Sequence, residues 1–349
     1  MELDNLHYNF RQIDGYNKPF NFVMSARECG KTTSAWLKFY NQWKKTGKPI
    51  IYLTRTAVEI NEALIESIGD TILRKFTDDE IRLSYNKGAF KDGIVDVSLN
   101  DRAFFRIVSL SIPLRRIKLA VLKNIGGVLM DEYIIDPKTG EKYIKEEAFK
   151  IKEAYTTWRR EADGVLRCYF LGNPYSLFNP LFVAWGVDTR KMRRGEFYVG
   201  DQFVIEWATL NPLLRDKLLK ENPLYQFDED YKGYALDGTP KNDAKIRLGN
   251  KPDNFRLRFV FRIGGLILGV CQTNQVGVDP RYFVGEISEY GKDRTAFAFD
   301  FDELVERTAL VGMEERFALS RFKDAFRARE VVFESVSVYY FIEEIYTKL

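Results

Sequence analysis

Short apolar runs alternate with helical repeats along the first half of the chain. Apolar runs of strand length occupy residues 20–24, 49–54, 126–130 and 167–171. Apolar residues then recur at helical spacing at Ala35, Trp36, Phe39, Tyr40 and Trp43. Gly47 closes that pattern, which predicts a helix over 31–46. A second helical pattern covers 57–68, and a β-rich insertion follows around 80–108. This alternation predicts an α/β domain with a doubly wound, mostly parallel sheet.

The pattern changes after about residue 200. Asn-Pro pairs open and close a short amphipathic helix at 211–223, and 255–273 reads as a β-hairpin turned at Gly264–Gly265, continued by a strand at 281–287. Helical patterns end the chain at 314–328 and 335–347. We therefore expect an α/β domain over 1–200, a helical linker over 201–230 and a small α+β domain over 231–349.

The segment "SARECGKTT" lies between the first predicted strand and the first predicted helix. It ends in the Gly-Lys-Thr of a phosphate-binding loop, in which backbone N–H groups wrap phosphate, the lysine reaches the outer phosphates and the hydroxyl binds Mg²⁺. A helix that begins here aims its N-terminus at the loop and stabilises an anion. The glycine that usually opens such a loop is replaced by a small serine. The predicted nucleotide-binding residues are Ser25, Ala26, Arg27, Glu28, Cys29, Gly30, Lys31, Thr32 and Thr33.

The apolar strand at 126–130 ends in an acid pair, Asp131–Glu132. In phosphate-loop enzymes the first carboxylate holds Mg²⁺ beside the loop hydroxyl, here that of Thr32. The second carboxylate orients and deprotonates the attacking water. Without the loop, the pair would equally be two solvated acids at a strand end. Together with the loop, they predict a site that hydrolyses nucleoside triphosphates.

Four further polar residues are candidates for the same site. Asn173 follows the strand at 167–171, where parallel strands deliver functional groups, and would hold water or sense the γ-phosphate; it is equally a turn signal. Arg159 and Arg160 end a helical pattern and would act on a neighbour's γ-phosphate or form a solvated helix end. Arg55 would touch phosphate, a neighbouring subunit or DNA, or pair with an acid.

Composition excludes several other classes of protein. The net charge of +3 is too small for a protein that coats DNA, so nucleic-acid contacts would be local, for example at the basic clusters 114–118 and 189–194. A single histidine excludes histidine-based triads and most zinc sites, and the three cysteines lack metal-binding spacing. The longest apolar run is too short to span a bilayer, and no secretion signal is visible. We expect a soluble, intracellular protein.

These motifs resemble the DNA-packaging motor ATPases of phi-29-like tailed bacteriophages. The resemblance is carried by "NFVMSARECGK", "VLMDEYI", "WRR…RCYFLGNPYSLFNP" and "FRIGGLILGV", which occur in that family's order. It implies an ASCE-type P-loop ATPase domain, a linker, and a C-terminal domain similar to an RNase H-like nuclease that has lost its active site. The strand at 255–263 agrees with that loss, because it carries three arginines and no metal-binding acid.

The resemblance also implies roles for individual residues. Lys31 and Thr32 look like the phosphate and Mg²⁺ ligands, and Asp131 like the Mg²⁺ carboxylate. Glu132 looks like the catalytic base and Asn173 like the sensor. Arg159 looks like the arginine finger supplied to a neighbouring subunit, with Arg160 as its close competitor. Two extra residues lie between these arginines and the strand at 167, so the sequence does not decide which of the two is the finger.

The resemblance implies ATP and Mg²⁺ as cofactors and a homomeric ring, typically of five subunits, on the portal of the prohead. Such a ring drives viral double-stranded DNA inward in the cytoplasm of the infected host, away from any membrane. A packaging RNA between motor and portal is left open. One alternative is a nucleotide-dependent switch that never binds nucleic acid. Another is a large terminase with a working nuclease, which the acid-free strand at 255–263 disfavours.

Overall fold

The computed structural model divides the chain into two compact units, Met1–Lys241 and Asn242–Leu349. The residues that it describes are 6–136, 141–177, 179–238, 247–263, 266–275, 279–291, 294–298, 308–310, 317–335, 338–339 and 341–342.

The first unit is built on a nine-stranded sheet with the order β3-β4-β5-β2-β6-β7-β1-β9-β8. Its strands are β1 Phe20–Ser25, β2 Ile50–Thr54, β3 Leu83–Tyr85, β4 Ile94–Leu99, β5 Arg102–Ser109, β6 Gly127–Met130, β7 Cys168–Gly172, β8 Phe197–Val199 and β9 Phe203–Ala208. Neighbours from β5 to β9 in this order pair in parallel, and the pairs at either edge are antiparallel. This sheet confirms the predicted α/β, mainly parallel architecture.

Helices cover both faces of this sheet, so its central strands are mostly apolar. The helices are α1 Arg11–Gly15, α2 Lys31–Thr46, α3 Glu62–Glu66, α4 Arg74–Phe76, α5 Leu114–Leu119, α6 Glu147–Trp158, α7 Pro180–Ala184, α8 Pro212–Glu221, α9 Leu224–Phe227 and α10 Glu229–Ala235. Val23 of β1 packs with Trp36 of α2, whereas Phe22 packs with Ile151 of α6 on the opposite face. Strands buried on both faces read as continuous apolar runs, which is why the sequence identified them.

Helix α2 matches the predicted helix over 31–46 at both ends. Gly30 precedes it and Gly47 follows it, both with left-handed backbone, at φ of 83° and 69°. The N–H of Gly47 donates to the carbonyl of Trp43 and ends the helix. Because glycine adopts this backbone at little cost, the two residues fix where the helix begins and ends.

The predicted helix over 57–68 is interrupted. A 3₁₀ turn occupies Ala57–Glu59, α3 begins after Asn61, and a π-helical turn follows at Ser67–Leu73. The Asn61 side chain accepts a hydrogen bond from the N–H of Leu64, so it caps α3 and prevents one continuous helix.

The segment 201–230, expected as a helical linker, lies within the first unit. It supplies β9, which pairs in parallel with β1, and the short helices α8 and α9. Asn211 caps α8 through the N–H of Leu213, with Pro212 in the first turn, as the Asn-Pro pair predicts.

The second unit contains a six-stranded sheet with the order β14-β13-β10-β11-β12-β15. Its elements are β10 Phe255–Ile263, β11 Leu266–Thr273, β12 Tyr282–Glu286, β13 Thr295–Ala298, β14 Thr308–Leu310, α11 Phe317–Arg327 and β15 Val331–Phe333. Strands β10 and β11 pair as the predicted antiparallel hairpin, although its turn at 264–265 lies outside the described residues. Of the predicted helix over 335–347, only residues 335, 338–339 and 341–342 are described.

Candidate active site

The loop between β1 and α2 has the backbone of a phosphate cradle. Glu28 and Gly30 have left-handed φ values of 59° and 83°. Ser25 is the last residue of β1, and its buried hydroxyl lies 3.0 Å from the Ala26 carbonyl and 2.7 Å from the Cys29 sulfur. Because Ser25 has extended strand backbone, this position does not require a glycine. The serine therefore fits the loop.

Residues distant in sequence hold the loop in place. The N–H of Tyr8 donates to the carbonyl of Cys29 at 2.8 Å, and the N–H of Arg27 donates to the carbonyl of Ala235 at 2.8 Å. The Tyr225 hydroxyl donates to Glu28 at 2.7 Å. The N-terminal segment and the helices α9 and α10 thus support the loop from outside, which no local sequence signal indicated.

Lys31 points toward the end of β7. Its Nζ donates to Oδ1 of Asn173 at 2.7 Å, and both side chains are buried. Strands β1 and β7 are parallel neighbours, so their carboxyl ends bring the loop and Asn173 to one edge of the sheet. The structure brings these two predicted site residues together.

Thr32 and Asp131 form a second contact at this edge. The Thr32 hydroxyl donates to Oδ2 of Asp131 at 2.7 Å, and burial raises the pKa of the Asp131 carboxyl. A hydroxyl and a carboxylate oxygen so close together fit the hard oxygen ligands that Mg²⁺ prefers. Among the residues that the structure describes, no cluster of three or more His, Cys, Asp or Glu could hold a metal. A cation here would thus take further ligands from water or from a phosphate.

Glu132 lies beside this pair in a strained conformation. Its φ is 55°, a left-handed value that is costly for a residue with a side chain, and its N–H donates to Oδ1 of Asp131 at 3.0 Å. Burial, and next the charge of Asp131, raise the pKa of the Glu132 carboxyl. A carboxylate with raised proton affinity at the cleft wall is suited to general-base chemistry.

A cleft of about 730 Å³ adjoins these groups. Thr32, Asp131 and Glu132 line it from the sheet side, and the segment from Thr54 to Asn61 lines it from the other. The side chain of Glu132 is therefore accessible from the cleft.

Arg55, for which several partners were open, pairs with an acid. Its guanidinium binds Glu147, a residue that the sequence analysis did not single out, and the two are buried. The signal for Glu147 was weak, because an acid near a helix start is usually a solvated residue of the first turn.

Arg159 and Arg160 lie at the opposite end of the strands from Lys31 and Asp131. They occupy a 3₁₀ turn, Arg159–Glu161, are exposed, and line a cavity of about 650 Å³ with Pro19 and Leu166. Pro19 and Leu166 precede β1 and β7, so this cavity is at the amino ends of the strands. Within one chain, the two arginines do not join Lys31 and Asp131 at the carboxyl ends.

The basic clusters are partly engaged within the chain. In 114–118, Lys118 pairs with Glu153, and in 189–194, Arg194 donates to the carbonyl of Asp237. Arg115 and Arg116 are exposed. Among the residues described, no helix is long and apolar enough to cross a membrane.

Comparison with known proteins gives matches over the whole length. The model of the family described as podovirus DNA encapsidation protein (Gp16) matches residues 3–349. The DNA packaging proteins of Bacillus phages phi29 and PZA are each 21% identical over 348 residues, which cover 99% of this chain and 98% of theirs.

Two solved structures share the fold. The Phi-28 gp11 DNA packaging motor matches with a TM-score of 0.70 and 16% identity, over 99% of this chain and 98% of that one. The bacteriophage Phi-29 viral genome packaging motor assembly matches with a TM-score of 0.70 and 19% identity, over 99% of each chain.

Proposed function

The chain belongs to the podovirus DNA encapsidation protein (Gp16) family, and from that premise we propose that it hydrolyses ATP to move viral double-stranded DNA into a preformed prohead. The observation that carries the proposal is the convergence of Lys31, Asn173, Thr32 and Asp131 at one edge of the sheet. Glu132 stands next to them, so the side chains for binding and for hydrolysis lie together.

The residues divide the chemistry between them. Backbone N–H groups of the loop and the positive end of α2 bind the phosphates, and Lys31 turns from Asn173 to the outer phosphates. Thr32 and Asp131 would hold Mg²⁺, which, when bound, offsets phosphate charge. Glu132 accepts a proton from the attacking water, and its raised pKa increases its affinity for that proton. Asn173, released by Lys31, orients the water or senses the γ-phosphate.

Arg159 is proposed as the arginine finger of a neighbouring subunit, with Arg160 as its competitor. Their exposure at the other end of the strands supports action on a second copy of the chain rather than on their own site. Such a finger contributes about 10³–10⁵ in rate. This arrangement requires a second copy of the chain beside the first, and we propose a homomeric ring of five subunits that docks on the portal vertex of the prohead in the host cytoplasm. Omitting a packaging RNA from the assembly and then adding it back tests whether the ring needs one.

The second unit is proposed to be an RNase H-like domain without nuclease activity. Its antiparallel strands β10 to β12, extended in parallel by β13 and β14, support this fold. Strand β10 offers Arg256, Arg258 and Arg262 and no acid, which favours phosphate contacts over metal-dependent cleavage. Incubation with plasmid DNA and Mg²⁺ or Mn²⁺ should give no nicks; nicking by the purified chain would contradict this assignment.

ATP hydrolysis with and without long double-stranded DNA tests the site. Lys31→Ala should abolish nucleotide binding and hydrolysis, whereas Glu132→Gln should bind ATP and hydrolyse none. Normal hydrolysis in both variants would refute the assignment. A wild-type rate indifferent to DNA, in the presence of portal-bearing proheads, would favour a nucleotide switch that does not act on nucleic acid.

Mixing variants tests the shared site. Arg159→Ala should be inactive in the ring, and mixtures with wild type should fall below the rate expected from the wild-type fraction. Arg160→Ala is the matched comparison, and the residue whose loss stops hydrolysis is the finger. Activity proportional to the wild-type fraction for both variants would refute hydrolysis that is coupled from subunit to subunit, and full activity of both pure variants would refute the finger.

A further inference from the structure

Arg55 makes a dense set of contacts beside the catalytic acid pair. Its Nε and Nη2 donate to the two carboxylate oxygens of Glu147 at 2.9 and 3.2 Å. The same guanidinium donates to the carbonyls of Glu132, at 3.3 Å, and Tyr133, at 3.0 Å. One side chain at the end of β2 therefore holds the two peptide carbonyls that follow Asp131.

The Arg55–Glu147 pair is almost entirely buried. The two side chains are 7% and 0% exposed, and the ring of Tyr143 faces the guanidinium at 5.2 Å. Glu147 also accepts a hydrogen bond from the N–H of Ile144 at 3.2 Å. Buried ion pairs of this kind are often no more stabilising than apolar side chains of similar volume. Stability alone therefore gives little reason for a charged pair at this position.

The backbone that Arg55 holds is the strained one. Glu132 has a φ of 55°, and the direction of its carboxylate depends on that dihedral. Hydrogen bonds to its carbonyl and to the next one keep the peptide planes on both sides of Tyr133 from rotating. The planar fork of arginine is suited to binding a carboxylate and two carbonyls at once.

We propose that Arg55, anchored by Glu147, is a positioning residue that holds the backbone of Glu132 so that its carboxylate faces the attacking water. The inference rests on the proposed ATPase function. Glu147 is the first residue of α6, a helix of 12 residues whose last turn leads to Arg159. The same pair therefore connects the backbone of Glu132 with the first residue of α6. The candidate finger follows the last residue of this helix, which is roughly 18 Å long.

Two variants separate positioning from folding. Arg55→Met combined with Glu147→Leu removes both charges and keeps apolar volume, so the protein should remain folded. Arg55→Lys keeps the ion pair but loses the fork that reaches both carbonyls. Glu153→Gln is the control. Glu153 lies on α6, as Glu147 does, and the change breaks its half-exposed ion pair with Lys118 of α5.

For both Arg55 variants we expect a melting temperature near that of wild type, ATP binding within about threefold, and kcat lowered about 10²-fold, the loss typical of a misplaced catalytic group. Glu153→Gln should keep wild-type kcat. A near-wild-type kcat in either folded Arg55 variant would overturn the proposal, as would a loss confined to KM. Wild type that does not hydrolyse ATP, or Glu132→Gln that does, would instead refute the proposed function.

Discussion

Glu206 provides a pH-dependent contribution to stability that can be measured. It lies on β9, beside Val23 of β1, and its carboxylate accepts a hydrogen bond from the Tyr8 hydroxyl at 2.6 Å. Burial raises the pKa of Glu206 from 4.5 to about 7, although the Tyr8 hydroxyl acts in the opposite direction. The folded chain therefore binds this proton more tightly than the unfolded chain does. The contribution of Glu206 to stability is therefore fully present below pH 4.5 and is lost as the pH rises through 7.

The magnitude follows from the same shift. A gap of about 2.5 pKa units corresponds to about 3 kcal/mol, and solvent near this partly exposed side chain makes that an upper value. Glu206→Gln stays neutral at every pH and still accepts from Tyr8. Its free energy of unfolding should match wild type near pH 4.5 and exceed it at pH 8 by as much as about 3 kcal/mol.

Urea unfolding followed by tryptophan fluorescence is the suitable assay, because all five tryptophans lie in the first unit. Glu196→Gln, which changes an exposed acid of the same hairpin, should show no such difference between the two pH values. An equal effect of Glu206→Gln at both pH values, or a variant less stable than wild type at pH 8, would show that the buried charge of Glu206 does not destabilise the fold.

Two further predictions concern the site. Gly172→Ala places a Cβ 2.9 Å from the ring of Tyr133, so the variant should lose about 1–3 kcal/mol of stability in thermal unfolding, the usual effect of overpacking. Gly15→Ala, whose Cβ meets nothing within 4 Å, is the control and should lose none. Equal stability of the two variants would contradict the overpacking at Gly172. Thr32→Ala removes the proposed Mg²⁺ ligand beside Asp131 and should raise the Mg²⁺ concentration for half-maximal hydrolysis about tenfold, equivalent to about 1.4 kcal/mol. An unchanged Mg²⁺ titration would contradict the role of Thr32 as a Mg²⁺ ligand.

The sequence predicted the parts of the fold that depend on local patterns. Strand β1 and helix α2 were predicted because apolar runs, helical spacing and the glycines Gly30 and Gly47 act over a few residues. Asp131 and Asn173 were candidates because parallel strands present polar groups at their carboxyl ends. The structure places both beside the loop.

Contacts between distant segments were not predictable in this way. Arg55 and Glu147 are 92 residues apart, and Tyr8 and Glu206 are 198 apart. Nothing in the spacing of either pair distinguishes these acids from solvated ones. Strand β9 was missed for the same reason, because a short apolar run after residue 200 gains its meaning only from pairing with β1.

DNA packaging by a defined system is the direct test of whether ATP hydrolysis by this chain moves DNA into a prohead. Long double-stranded DNA, portal-bearing proheads and ATP are mixed with the chain, with packaging RNA in a parallel reaction, and the DNA protected from added nuclease is measured. We expect protection with wild type in at least one of the two reactions, and none with Glu132→Gln, although that variant should bind ATP. Protection by Glu132→Gln at the wild-type level, or none by wild type in either reaction, would contradict the proposed function.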